Sequence, residues 1–180
     1  EVEAGGQRIQ ARRFVIATGS HAFVPPIPGI KDVPYLTNET VFKQKKLPDH
    51  LIVVGGGSIG IEMAQAHRHL GAQVTVLEMF AIMSIDDQEL VYVVRAQLSK
   101  DGITIREGVK VSSVAKSESG IVVTIENNGA TEQIEGSHIL VAAGRKPNVD
   151  SLYLEKAGVA YSPKGINVDA RLRTSNKKIF

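Results

Sequence analysis

The 180-residue sequence contains no cysteine and no tryptophan. Without cysteine, these residues cannot supply a disulfide framework, a thiolate metal site or a redox thiol. Lysine plus arginine exceed aspartate plus glutamate by only 21 − 19 = 2, so no strong positive field is available for nucleic acid or an anionic membrane. No stretch approaches the roughly 18 apolar residues of a membrane span. The remaining composition is ordinary for a folded globular domain.

The first twenty residues lack the apolar core of a signal peptide and the pattern of a transit peptide. The sequence begins without methionine and within a strand-like pattern, so we expect it to be a segment of a longer protein. With no thiol and no export signal, a cytoplasmic location is the expectation.

Apolar periodicity predicts a parallel sheet in the middle of the chain. The run 51–54 is continuously apolar, as in a strand buried on both faces. Two helical patterns and two short apolar runs alternate after it, and this order implies parallel strands joined by right-handed crossovers. The first helix has Ile59, Met63, Ala66 and Leu70 at helical spacing and ends at Gly71, and the second strand is 74–77. The second helix begins at Asp86 and Asp87 and has Leu90, Val94 and Leu98 on its buried face. The third strand is 103–105.

Shorter elements are predicted on both sides of this core. The Asn128-Gly129 pair is a strong hairpin signal, and with its neighbours it predicts a three-stranded antiparallel meander. The other segments are strands at 7–18, 138–143 and 166–168, a proline-rich connector at 21–34, a helical turn at 38–42 capped by Asn38 or Thr37, meander strands at 109–116, 120–126 and 131–135, and a helix at 152–157.

A Gly-x-Gly-x-x-Gly motif directly follows the first apolar run. It lies between a predicted strand and a predicted helix, which is the context of a Rossmann-like dinucleotide site. Gly55 would allow the tight turn, Gly57 would let a pyrophosphate approach the backbone, and Gly60 would let helix and strand pack closely. The helix N-terminus would offer N–H groups to the phosphates. The predicted loop comprises Gly55, Gly56, Gly57, Ser58, Ile59 and Gly60.

An acidic residue ends the second predicted strand. Glu78 lies 78 − 55 = 23 residues after Gly55, close to the roughly 20 residues expected for the ribose-binding acid. A carboxylate there would accept hydrogen bonds from the ribose hydroxyls and would repel the 2′-phosphate of NADP. The next five residues, 79–83, contain no basic side chain, so the sequence favours NAD.

Glu62 lies two residues beyond the last glycine of the motif. It either complements the helix dipole or points toward the nicotinamide end of a bound nucleotide, and the sequence leaves both open. The five histidines have no carboxylate or cysteine partners at metal-ligand spacing, so no metal site is predicted.

Four motifs in order along the chain resemble the FAD-dependent pyridine nucleotide–disulfide oxidoreductases. Within that family, the chain is most similar to the dihydrolipoamide dehydrogenases, and it differs more from mercuric and glutathione reductases at Glu78. The motifs are Val15-Ile16-Ala17-Thr18-Gly19-Ser20, Pro25-x-Ile27-Pro28-Gly29, Gly55 to Glu62, and Ala143-Gly144-Arg145-Lys146-Pro147-Asn148.

The resemblance implies a domain plan and a role for each site residue. Residues 37–148 would be the NAD-binding domain, between partial FAD-domain segments at 1–36 and 149–180. The loop from Gly55 to Gly60 would bind the pyrophosphate, Glu78 would bind the adenosine ribose, and Glu62 would lie near the nicotinamide. Val111 and Gly144 would line the NAD cleft. Thr18 and Gly19 would contact FAD.

Other parts of that family's machinery are not in these residues: the FAD dinucleotide loop, the Cys-x-x-x-x-Cys pair and the interface domain with its His–Glu pair. The resemblance therefore implies a segment that binds NAD(H) but catalyses nothing alone. The parent would be a homodimer that passes hydride between nicotinamide and flavin. The alternatives are a mercuric reductase-like or soluble transhydrogenase-like parent, or a non-catalytic nucleotide-binding module.

Overall fold

The structure is a computed structural model that describes residues 1–118 and 120–180. Its contacts divide the chain into two compact units. The larger unit is Ala22–Gly144, and the smaller unit combines Glu1–His21 with Arg145–Phe180.

The secondary structure of the described residues combines short strands with two α-helices. In chain order, the elements are β1 (Val2–Ala4), β2 (Gln7–Ile9), β3 (Ser20–Ala22), β4 (Tyr35–Thr37), β5 (His50–Val54), α1 (Ser58–His69), β6 (Gln73–Leu77), α2 (Gln88–Lys100), β7 (Thr104–Arg106), β8 (Lys110–Ser117), β9 (Gly120–Asn127), β10 (Ala130–Gly136), β11 (His138–Val141), β12 (Arg145–Pro147), β13 (Tyr161–Ser162) and β14 (Gly165–Ile166), with 3₁₀ helices at Ile30–Asp32 and Val41–Lys43.

The larger unit is built on a five-stranded parallel sheet in the order β4-β11-β5-β6-β7. In its register, Val53 of the central strand lies opposite Val76 on one side and Leu140 on the other. The predicted alternation of strands and helices is therefore confirmed, and the architecture is the Rossmann-like α/β fold expected from the sequence.

The central strand β5 contributes to both apolar cores of this unit. Leu51 and Val53 belong to a core that includes residues of α1 and α2. Ile52 and Val54 belong to a second core that includes residues of the meander strands β8 and β9. Because successive side chains of a strand point to opposite faces, one continuously apolar run fills both layers.

Both helices form where predicted, and their buried faces match the predicted ones in part. Gly71 follows α1 with a φ of 109°, as a terminating glycine does, and Asp87 caps α2 by accepting the Glu89 N–H at 3.0 Å. Leu70 and Leu90, both predicted to be buried, are 71% and 67% exposed. In α2 the prediction is right at Leu98, which is buried, and at Val94, which packs against the core. It is wrong at Leu90, because Val91 is buried in its place and Leu90 is turned about 100° away around the helix.

The antiparallel meander is confirmed as β8, β9 and β10, which connect β7 to β11. Asn128 and Gly129 have φ values of 49° and 84°, as a type I′ hairpin turn requires. Strand β11 ends at Val141, two residues earlier than predicted.

The proline-rich segment belongs to the larger unit from Ala22 onward. Val114 of β8 donates its N–H to the Pro28 carbonyl at 2.9 Å, and a Cβ added at Gly29 would lie 1.9 Å from the Val114 oxygen. The contacts therefore place the boundaries between units after residues 21 and 144, whereas the domain boundaries at 36 and 148 come from the family resemblance and stay a prediction.

The smaller unit has short strands and one small apolar core of Val149, Leu154 and Val159. The predicted strand over residues 7–18 is wrong beyond Ile9. Phe14 makes an isolated parallel bridge with Ile179, and Val15 is 76% exposed.

One predicted helical turn is shifted along the chain, and one predicted helix is wrong. Residues 38–42 yield a 3₁₀ turn over Val41–Lys43, because the Thr40 hydroxyl accepts the Thr37 N–H at 2.9 Å and offers the backbone an alternative to a helical cap. Residues 152–157 form tight turns, and the left-handed Tyr153, with a φ of 50°, prevents a helix there. The predicted strand at 166–168 is the short β14.

Candidate functional site

A cleft of about 860 Å³ lies in the larger unit. Its lining includes residues that directly follow three parallel strands: Gly55 after β5, Glu78 after β6, and Ala142 after β11. The order of the sheet reverses at β5, because β6 follows it on one side and β11 lies on the other. Open α/β sheets bind ligands at the carboxyl ends of their strands at such a switch point.

Two glycines of the motif, Gly55 and Gly60, are packed against backbone atoms too tightly to carry a side chain. Gly55 has a φ of 111°, and a Cβ there would lie 2.4 Å from the Ala142 carbonyl oxygen. A Cβ on Gly60 would lie 2.0 Å from the Gly55 oxygen. The loop therefore needs glycine at Gly55 for the turn and at Gly60 for the close packing of α1 on the strand end, as predicted from the motif.

Gly57 differs from these two glycines, because a Cβ there would meet no atom of the chain within 4 Å. Gly57 precedes α1 with no side-chain cap, and Gly57, Ser58 and Ile59 all line the cleft. The first N–H groups of a helix have no partner within it. The open side of this loop is thus a helix N-terminus with room for an anion against the backbone.

The Glu78 carboxylate is held by two backbone N–H groups. Gly56 donates to Oε2 at 2.6 Å and Phe80 donates to Oε1 at 2.9 Å. Glu78 is half-buried and lines the cleft. A carboxylate has about four lone-pair positions, so two such bonds fix its orientation and leave it able to accept more.

Val111 and Gly144, which the family resemblance places at the nucleotide, both line the cleft. The register of β8 shifts between Val111 and Ser113, which marks a β-bulge. Val111 and Ser112 consequently both line the cleft, although neighbouring residues of a regular strand face opposite sides.

The other predicted site residues lie elsewhere in the described part of the chain. Glu62 is exposed on α1 and is not among the cleft-lining residues, and neither are Gly56 and Gly60. Thr18 and Gly19 belong to the smaller unit, where the Thr18 hydroxyl donates to the Asn148 carbonyl at 2.8 Å. Their assignment to FAD stays a prediction.

Sequence reasoning missed several lining residues. The proline-rich segment contributes four of them, Pro25 to Pro28, and the meander contributes Lys110 and Glu126, whose charged groups are 3.8 Å apart. None is near the glycine motif in sequence, so no local pattern could reveal them. The Pro25-x-Ile27-Pro28-Gly29 motif indicated the family resemblance, but it did not indicate that these residues line the cleft.

Residues 79–87, which connect Glu78 to α2, form another wall that sequence reasoning missed. Met79, Phe80 and Ile85 line the cleft and are 53%, 70% and 96% exposed, so apolar side chains form much of this wall. Behind it, Ile82 donates its N–H to Glu107 at 2.6 Å. The Arg95 guanidinium, hydrogen-bonded to the same carboxylate, holds the pKa of Glu107 below its ordinary value.

Two other kinds of site were searched for across residues 1–118 and 120–180. No group of three or more His, Cys, Asp or Glu side chains there is arranged to hold a metal ion. No helix in that part of the chain combines the length and apolar character needed to cross a membrane.

The sheet order, the glycine turn and the cleft at the switch point form the geometry that is typical of α/β dinucleotide-binding folds. The family model described as pyridine nucleotide-disulphide oxidoreductase matches residues 1–180, and the chain belongs to this family. The family resemblance drawn from the four sequence motifs is therefore confirmed.

Three relatives illustrate the match. A mercuric reductase of Staphylococcus aureus is 35% identical over 99% of this chain and 33% of its own length. A dihydrolipoyl dehydrogenase of Thermus scotoductus is 36% identical over 100% of this chain and 40% of its own length. The HOCl-induced flavoprotein disulfide reductase RclA of Escherichia coli superposes with a TM-score of 0.84 at 31% identity, covering 96% of this chain and 39% of that one.

The chain thus spans between a third and two fifths of the length of these relatives. The two curated enzymes are almost equally identical to it, so identity alone does not select one of their activities.

Proposed function

We propose that the larger unit binds NAD(H) in the cleft described above. The observation that carries the proposal is the glycine loop at the switch point, where two glycines are required by packing and the third, Gly57, is open toward the cleft. A pyrophosphate placed against Gly57 would meet the N-terminus of α1 and its unpaired N–H groups. Ser58 and Ile59 would line the same side.

The adenosine ribose is proposed to bind at Glu78. The two backbone N–H groups that hold this carboxylate fix its orientation beside the cleft. The free lone pairs would accept the ribose hydroxyls, and the charge would repel a 2′-phosphate. Because residues 79–83 carry no basic side chain, the site is proposed to prefer NAD(H) to NADP(H).

The remaining site assignments complete this proposal. Val111 and Gly144 would line the NAD cleft, and Glu62 would lie near the nicotinamide at the start of α1. Thr18 and Gly19, in the smaller unit, would belong to the FAD site of the whole protein.

The whole protein is proposed to be a homodimeric, FAD-dependent oxidoreductase of the dihydrolipoamide dehydrogenase class. Bound nicotinamide would exchange hydride with the flavin, which is chemistry that the cofactors themselves supply. No cysteine occurs in these 180 residues, so none of them supplies a redox thiol. A mercuric reductase-like activity is the second candidate, because a mercuric reductase is 35% identical over 99% of the chain.

The test is a calorimetric titration of the chain with NADH and with NADPH, using wild type and Glu78→Arg. We expect wild type to bind NADH more tightly, and Glu78→Arg to shift the preference toward NADPH by about tenfold or more, since a repulsive charge is replaced by an attractive one. Glu132→Arg, a change of the same charge on β10 outside the cleft lining, is the control and should leave the preference unchanged. An unaltered preference in Glu78→Arg would remove the role given to this residue.

A further inference from the structure

Residues 79–87, which we call the cleft segment, have no regular helix or strand, yet most of them line the cleft. The segment has one deeply buried anchor: Ile82 is 0% exposed, whereas Ile85 is 96% exposed. Something other than a regular hydrogen-bond ladder must therefore fix the position of this wall.

Two consecutive backbone N–H groups attach the segment at its anchor. Met83 donates to the Gly56 carbonyl at 2.9 Å, which ties the segment to the glycine loop. Ile82 donates to Glu107 Oε1 at 2.6 Å, which ties it to the residue after β7. The Ile82 side chain also lies under the loop, since a Cβ added at Gly56 would be 2.8 Å from Ile82 Cγ2.

Glu107 is itself held in place by Arg95 of α2. The guanidinium donates from two nitrogens to the two carboxylate oxygens, at 2.6 and 2.8 Å. The Arg95 and Glu107 side chains are 36% and 29% exposed, so the pair is partly shielded from water. Bidentate geometry of this kind is stronger and more directional than an ordinary surface ion pair.

We propose that Glu107, oriented by Arg95, is a positioning residue for the cofactor cleft. It sets nucleotide affinity by holding Ile82, and with it the cleft segment, against the glycine loop. Among the described residues, neither Glu107 nor Arg95 lines the cleft, so the effect is indirect. The inference rests on the proposed function, because the affinity in question is that for NAD(H).

The chain contains a closely matched control pair. Arg106 of β7 donates from two nitrogens to the two oxygens of Glu132 on β10, at 2.9 and 2.5 Å. These side chains are 33% and 51% exposed. Glu132 does not line the cleft in the described part of the chain, and this pair is not joined to Ile82.

The first experiment compares the NADH dissociation constants of Glu107→Gln and Glu132→Gln with wild type by calorimetry on the full chain. Gln keeps the shape of the side chain and removes the charge that accepts the guanidinium fork. We expect Glu107→Gln to weaken NADH binding by about fivefold and Glu132→Gln by less than about twofold, with similar losses of thermal stability in both. Equal affinity losses in the two variants, or an unchanged affinity in Glu107→Gln, would overturn the proposal.

Arg95→Lys and Arg95→Met supply a second comparison if Glu107→Gln folds poorly. Both leave the bond between Glu107 and Ile82 possible, and Lys keeps the charge without the fork. Part of the affinity lost in Arg95→Met should be recovered in Arg95→Lys. Identical affinities in these two variants and wild type would contradict the role of Arg95.

The second experiment does not depend on nucleotide. Amide hydrogen exchange without NADH should be faster by about tenfold at Ile82 and Met83 in Glu107→Gln and unchanged there in Glu132→Gln. Unchanged exchange in Glu107→Gln would overturn the positioning role. If wild type fails to bind NADH, the proposed function is wrong, and the exchange experiment still decides whether Glu107 holds the segment.

Discussion

Two segments of this chain have nearly the same sequence pattern and different structures. Residues 14–19 and 51–55 are each an apolar run that ends in a glycine of positive φ, Gly19 at 67° and Gly55 at 111°. The second run is a central strand with partners on both sides, and Val53 is 0% exposed. The first is not a strand, and its Val15 is 76% exposed. An apolar run does not by itself specify a buried strand, because the second run owes its burial to the strands paired on both of its sides.

The largest expected effect comes from placing a charge in each run. Val53→Asp would bury an unpaired carboxylate in the main core and should cost more than about 4 kcal/mol of unfolding free energy, while Val15→Asp should cost less than about 0.5 kcal/mol. Urea unfolding followed by circular dichroism measures both. Similar losses for the two variants would show that the comparison is wrong.

Leucine truncation compares the cores of the two units. Leu140→Ala, in the main core, should cost about 4 kcal/mol, and Leu154→Ala, in the small core of the smaller unit, about 2 kcal/mol. Both leucines are almost fully buried, at 0% and 2% exposed, so the difference reports how far each surrounding core can relax. The same urea titrations apply, and a larger loss for Leu154→Ala would contradict this expectation.

The glycines that end the two apolar runs, Gly19 and Gly55, should differ less in the stability that each loses on substitution by alanine. Alanine would be strained by the positive φ at either position, at a cost of about 1 kcal/mol. At Gly55 its Cβ would also lie 2.4 Å from the Ala142 oxygen, whereas at Gly19 it would meet nothing within 4 Å. Thermal unfolding should therefore show a clearly greater loss for Gly55→Ala than for Gly19→Ala. Equal losses would mean that the turn relaxes without cost.

The smallest expected effect is a pH dependence at the start of the buried strand. Burial lowers the pKa of His50, whose Nε2 lies 2.9 Å from the Thr75 hydroxyl oxygen. The unfolded chain therefore takes up the proton at a higher pH than the folded chain, and stability falls as the pH drops through the ordinary imidazole range. His50→Gln should flatten this part of a plot of stability against pH, and His69→Gln, on exposed α1 surface, serves as the comparison. An unchanged slope in His50→Gln would exclude His50 as its source.

Much of the larger unit follows from the sequence. The strands 51–54 and 74–77, the meander and the stop at Gly71 are all present within one or two residues, because strong apolar patterns and turn residues agree there with the fold. The functions of Gly55 and Gly60 in packing were also predictable, since the motif encodes local backbone geometry.

The rest of the cleft was not predictable from local patterns. Pro25 to Pro28, Lys110 and the cleft segment come to one cavity through the order of the sheet, which no single segment specifies. The bond between Glu107 and Ile82 spans 25 residues and depends on where α2 packs. The errors at Leu90 and at residues 152–157 have local causes. In α2, the buried residue is Val91 and not its neighbour Leu90. At 152–157, the left-handed backbone of Tyr153 prevents a helix.

The most direct test of the central claim is a calorimetric NADH titration of wild type beside Gly57→Ala. Gly57 has a φ of −73°, and an added Cβ has open space, so the variant should fold with nearly unchanged thermal stability. The methyl group would nevertheless stand where the pyrophosphate must approach, and we expect NADH binding to weaken by at least about tenfold. Equal NADH affinity in the two proteins, or no binding to wild type, would contradict the account of this loop as the nucleotide site.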